Sequence, residues 1–246
     1  GMVSISSKLL VLVTMAVLLC LVIVNQHYAM DNKQNIEIKT PQTLETQVLG
    51  STGKGTVTKT GPYGNPNSTR KIAIIVGVHP LEANAHRAII ESILNNSKSL
   101  KNSYYIYSIN VTENADNYKK GRINGQQLAN KYVVSDIKKN HFKLVIDVHS
   151  NRGKNAGYKE NRFLSVPSKS NKSKSIASKI IKEIPWLVYY IPPNGKDPKS
   201  PKYVTIPLIN SKIPSIVYET YMYEPYGTTL EHANEFIKTI DGIKLN

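Results

Sequence analysis

Residues 72–78 read Ile-Ala-Ile-Ile-Val-Gly-Val, a β-branched apolar run of strand length that restricts what can surround it. Such a run without polar alternation is a buried strand, and a buried strand needs layers packed against it. It stops at His79-Pro80-Leu81-Glu82, after which residues 83–94 carry a helical pattern. A strand that feeds straight into a helix is the building unit of a layered α/β fold. Ligands in open α/β sheets gather at the carboxyl ends of strands, which is where His79 and Glu82 stand. A neutral imidazole and a carboxylate from one turn suit a divalent metal, zinc above all, but two ligands are too few.

A third ligand is available in Leu144-Val145-Ile146-Asp147-Val148-His149-Ser150, a second buried-strand pattern that ends in histidine. Two parallel strands ending side by side bring His149 next to His79 and Glu82. Two imidazoles and one carboxylate leave a coordination position for water, the ligand set of a hydrolytic zinc site. A further strand pattern, Ser215-Ile216-Val217-Tyr218-Glu219-Thr220, ends in a carboxylate that can take a proton from water as general base. Asp147 lies two residues before His149 and so shares its strand face. It can either orient a ligating histidine from behind or serve as a capping or salt-bridging carboxylate.

From residue 70 strand and helix patterns alternate: strands over 71–78, 104–111, 143–149, 187–191 and 214–220, helices over 83–95, 125–139, 173–183 and 229–240. The order predicts helices covering a mostly parallel sheet. Leu128, Tyr132, Val133 and Ile137 recur at helical spacing and are read as a packing stripe. Residues 70–246 are therefore expected to form one catalytic-sized domain.

Ahead of it, residues 9–24 are apolar except for Thr14, follow Lys8 and include no acidic residue, so residues 1–29 are expected to be a signal peptide or membrane anchor. An exterior, membrane-anchored or secreted location follows from that expectation. Residues 30–69 are poor in large apolar side chains and are expected to be a tether, with Thr56-Val57-Thr58 alternating like an edge strand. Gly50-Ser51-Thr52-Gly53-Lys54-Gly55 lacks the spacing and the following helix of a phosphate loop. Cys20 is the only cysteine, which excludes an intramolecular disulfide and a thiolate zinc site.

His79-Pro80-Leu81-Glu82, Asp147-Val148-His149-Ser150 and Tyr218-Glu219-Thr220 together resemble the zinc carboxypeptidases and their relatives, the succinylglutamate desuccinylase and aspartoacylase family. The resemblance covers roughly residues 70–226, with its elements evenly spaced at positions 79, 149 and 219. It implies a three-layer α/β/α sandwich with a mixed, mostly parallel sheet. It also implies zinc held by His79, Glu82 and His149, with Glu219 as general base that passes a proton to the leaving amine. Families of this kind carry an Asn-Arg pair ahead of the second histidine strand, and the nearest match here is Gly121-Arg122-Ile123-Asn124-Gly125, in a different order.

Arg122 or Arg152 is expected to stabilise the oxyanion. Asn124, Arg162, Tyr221 and Tyr223 are expected at the substrate, the tyrosines because a mobile tyrosine contacts substrate in the resembling family. The formal net charge of +15 raises nucleic acid as a partner, yet the lysines are dispersed and no nucleic-acid motif appears. A basic surface outside a membrane would instead favour anionic headgroups or an acidic wall polymer. These features converge on a zinc-dependent amide hydrolase, of the carboxypeptidase or acyl-amino-acid deacylase kind. Its expected substrate is a peptide, a cell-wall-linked peptide or an acylated amino acid. The alternative is a degenerate relative that keeps the fold and serves as a non-catalytic surface-binding module.

Overall fold

In the computed structural model, residues 44–195 and 199–245 are described. The anchor or signal segment and the first part of the expected tether lie outside them. The strands are β1 (Glu45–Thr52), β2 (Gly55–Gly64), β3 (Lys71–Val76), β4 (Ser103–Val111), β5 (Leu144–Asn151), β6 (Phe163–Ser165), β7 (Val188–Tyr189) and β8 (Ser215–Tyr221). They form one sheet in the order β1-β2-β4-β3-β5-β8-β6-β7. Its centre is parallel, with β3 between β4 and β5 and β8 beside β5. The β1–β2 hairpin joins antiparallel to β4, and β6 runs antiparallel to β8.

Side-chain alternation along β3 divides the core into two layers. Ile72, Ile74 and Val76 join Ile89 and Ile93 of α1 (Ala83–Asn96), Ile176 and Ile180 of α4 (Asn171–Glu183), and Phe236 and Ile240 of α6 (Tyr226–Gly242). Ala73 and Ile75 face the other way, towards Leu128 of α2 (Tyr118–Leu128) and Leu208 of α5 (Thr205–Asn210). Each fully buried Ile or Leu contributes roughly 1.5–3 kcal/mol. Apolar layers on both faces make the expected three-layer α/β/α sandwich with a mixed, mostly parallel sheet.

Several elements differ from the sequence reading. Residues 45–64, expected to be tether with one edge strand, are two full strands of the sheet, so the folded unit begins well before residue 70. Their composition hides this because Val57 is the only large side chain that β2 fully buries. The helix expected over 125–139 starts at Tyr118, capped by the Asn117 side chain, which accepts from the Lys120 amide. It then widens into a π-helical stretch (Ala129–Val134) before α3 (Ser135–Lys138). The wider turn keeps Leu128 and Val133 in the core, five positions apart, and leaves Tyr132 only half-buried.

The expected exterior, membrane-attached location is corrected. No helix among the described residues is long and apolar enough to cross a membrane. The run at 9–24 on which that expectation rested lies outside them.

Candidate metal centre

At the end of β3 the chain turns at Gly77, whose φ of +90° suits glycine and whose Cβ would lie 2.1 Å from the Ile109 carbonyl oxygen. The turn continues through Pro80, and the Glu82 amide donates to the His79 carbonyl at 3.1 Å. Glu82 is thereby folded beneath His79 at the start of α1. On β5, His149 is in register with Glu219 on the parallel neighbour β8, which brings the two to one end of the sheet.

The two histidines present their Nδ1 atoms to opposite oxygens of one carboxylate. His79 Nδ1 is 2.9 Å from Glu82 Oε1, and His149 Nδ1 is 2.9 Å from Glu82 Oε2. The Ser150 amide also donates to Oε2, at 3.1 Å. All three residues are buried, and their ligand atoms lie within 4.8 Å of one another. Behind them, His79 Nε2 meets Gln126 Oε1 at 2.9 Å, while His149 Nε2 meets Asp147 Oδ2 and Ser200 Oγ, each at 2.9 Å.

With Asp147 and Ser200 behind His149 Nε2 and the Gln126 amide behind His79 Nε2, both rings turn Nδ1 towards the carboxylate. Nitrogen and oxygen can remain that close only with a hydrogen on each Nδ1 or a cation in their place. Burial lowers the pKa of His79 despite the neighbouring Glu82, which disfavours a second full positive charge. Burial also opposes a charge on His149, but Asp147 and Glu82 outweigh it and hold its pKa well above the usual value. Glu82 is held well below the ordinary carboxylate range because the two histidines outweigh its burial. Two imidazoles and an ionised carboxylate, each positioned by outer hydrogen bonds, fit a divalent cation of the zinc type.

Glu219 is 9% exposed and accepts from Asn151 Nδ2 at 3.2 Å. Burial first, then the charge of Glu82, push its pKa up to about 8. Glu219, His79, Glu82 and His149 line one cavity of about 280 Å³, together with Arg122, Arg152, Lys199 and Tyr158. Arg122 Nη1 lies 3.4 Å from Glu82 Oε1. The Arg122 and Arg152 guanidiniums both stack on Tyr118, at 4.8 and 4.2 Å from the ring centre.

Other expected site residues are elsewhere. Asn124 donates to the Glu113 carbonyl at 2.9 Å and does not line the cavity. Arg162 is committed to Glu224, through Nε at 2.7 Å and Nη2 at 2.6 Å. Tyr221 packs edge-on against Tyr223, and Tyr223 reaches only an outer cavity that also includes Tyr118, Arg122 and Arg152. His86, four residues after Glu82 on α1, is buried, and burial lowers its pKa to about 4.

No family model matches the chain, and no curated protein matches it in sequence. Solved structures do match. A metallo-carboxypeptidase from Burkholderia cenocepacia superposes with a TM-score of 0.53 at 11% identity, over 82% of this chain and 65% of its own. The Pseudomonas aeruginosa metallo-carboxypeptidase in complex with (2-guanidinoethylmercapto)succinic acid gives 0.53 at 11% identity, over 82% and 63%. Tripeptide-bound Csd4, a cell shape determinant protein of Helicobacter pylori, gives 0.51 at 12% identity, over 80% and 54%. The fold is that of the metallo-carboxypeptidases. At these identities the likeness is one of fold, and the chain spans less than two thirds of each of those structures.

On this carboxypeptidase-like fold, Gln126, Ser200, Tyr118, Asn151, Tyr158 and Lys199 also reach the centre or its cavity without having been singled out from the sequence. Tyr118 and Arg122 stand four apart on α2, a helical pairing that becomes legible only once the helix is started at Asn117. Ser200 comes from a short turn (Ser200–Lys202) with no pattern to mark it.

Proposed function

We propose that this domain is a zinc-dependent hydrolase of an amide bond in a peptide. The observation that carries the proposal is the convergence of His79 Nδ1, His149 Nδ1 and both Glu82 oxygens, with Glu219 in the same cavity. A zinc ion held by these three residues would supply Lewis-acid polarisation of the carbonyl and acidify water. Glu219 is held neutral by burial and the Glu82 charge in the metal-free chain; a cation at His79, Glu82 and His149 would favour its ionised form, which can take a proton from the attacking water and then deliver it to the leaving nitrogen. Arg122, fixed over Tyr118, faces the cavity and can donate to the carbonyl oxygen as negative charge develops. Arg152, stacked on the same ring, offers a second cation to a substrate carboxylate. Phe163, Pro167, Ile206 and Val217 give the cavity an apolar wall suited to an apolar side chain.

A peptide substrate is supported by the tripeptide bound to Csd4 and the succinic acid derivative bound to the Pseudomonas aeruginosa enzyme. In an assay of zinc-loaded protein on tripeptides with free and amidated C-termini, Glu219→Gln is expected to lower turnover about 10²–10⁴-fold while leaving bound zinc unchanged. One observation favours a non-catalytic binding module instead: Asn124, the nearest match to the family's Asn-Arg pair, is tied to Glu113 away from the cavity. Zinc uptake with no Glu219-dependent turnover would favour that second reading.

A further inference from the structure

We infer that Gln126 and Ser200 are positioning residues that hold the two histidines unequally, so that His149 is the fixed, stronger metal ligand and His79 the weaker one. The inference rests on the metal-site reading above.

On the His149 side, Asp147 is wholly buried and its Oδ2 accepts from Ser200 Oγ at 2.6 Å. With its hydrogen committed to Asp147, the Ser200 oxygen is an acceptor towards His149 Nε2. Two acceptors, Asp147 Oδ2 and Ser200 Oγ, thus converge on one ring nitrogen. Nε2 must carry the hydrogen, which leaves Nδ1 available for a metal. A carboxylate behind a ligating imidazole also strengthens its donation.

On the His79 side the only outer partner among the described residues is the Gln126 amide, through Oε1 at 2.9 Å. Gln126 is fully buried, and its Nε2 has no hydrogen-bond partner among the described residues. Turning the amide over would therefore break no bond except the one to His79. In one orientation Gln126 accepts from His79 Nε2, and in the other it donates to it. A neutral group that serves either way neither fixes the ring's tautomer nor adds negative charge behind it.

The test is zinc affinity of the full chain, measured by competition with a chromophoric chelator, with cobalt(II) absorption and imidazole ¹⁵N spectra as independent readouts. Gln126→Glu places a carboxylate behind His79 and is expected to tighten zinc binding about 10-fold or more. Ser200→Ala is expected to weaken it about 10–100-fold, and Gln126→Leu less than Ser200→Ala. The cobalt spectrum should change in Gln126→Glu, which a merely structural role would not produce. The His149 Nε2–H should exchange slowly with or without zinc in the wild type and quickly in Ser200→Ala.

Unchanged or weaker binding in Gln126→Glu, or unchanged affinity and exchange in Ser200→Ala, overturns the inference. Wild-type protein that takes up no zinc overturns the functional proposal. The hydrogen lock on His149 is still decided by the exchange measurement, so the two failures are distinguishable.

Discussion

A carboxyl group that stays protonated near neutral pH makes the protein's stability depend on pH in a direction that can be checked. Glu219 rises from an ordinary value of 4.5 to about 8 in the folded chain, through burial and then the charge of Glu82. Its contribution is fully present below the unfolded pKa and is lost as pH rises through the folded one. For metal-free protein, the stability of the wild type relative to Glu219→Gln should therefore fall by on the order of a few kcal/mol between about pH 5 and pH 9. Denaturant unfolding of both proteins across that range checks this, and parallel curves would contradict it. The residues at this centre that were legible in the sequence, His79, Glu82, His149 and Glu219, share one property: each stands at or just beyond the end of a β-branched run. Asn124 and Arg162 bond to the Glu113 carbonyl and to Glu224, 11 and 62 residues away along the chain, pairings that leave no local pattern.

Two close approaches set how helix and strand meet around the centre. Gly77 passes the Ile109 carbonyl, and Gly125 of α2 sits so near β3's outgoing turn that a Cβ there would lie 1.9 Å from the Val78 carbonyl oxygen. The approach of Gly125 is what seats the next residue, Gln126, against His79. Gly125→Ala should cost about 1–3 kcal/mol through overpacking and weaken zinc binding as α2 is pushed away. Gly227→Ala, in α6 with nothing within 4 Å of its Cβ, should be neutral or slightly stabilising. Thermal melts and zinc titrations of both variants check the pair; equal effects would contradict it. The core strands and helices α1, α4 and α6 were legible because each carries enough apolar residues to announce its own period. The β1–β2 hairpin, the three-residue β6 and α5 were not, since none has a periodic face long enough to stand out from loop composition.

At the scale of the whole molecule, the centre gathers side chains from the turn after β3, the start of α1, the body of α2, the ends of β5 and β8, and the turn at Ser200. A cation bound there would couple segments far apart in the chain and stabilise the folded state by mass action, by about 2.7 kcal/mol at 100 times its Kd. Hydrolysis at this centre requires three of these pieces to meet at one ion. Isothermal titration of zinc into chelator-stripped full-length protein tests that most directly. Wild type should take up one ion per chain, and Glu82→Gln, folded by circular dichroism, should lose most of that affinity. No saturable uptake by the wild type, or equal uptake by Glu82→Gln, would contradict it.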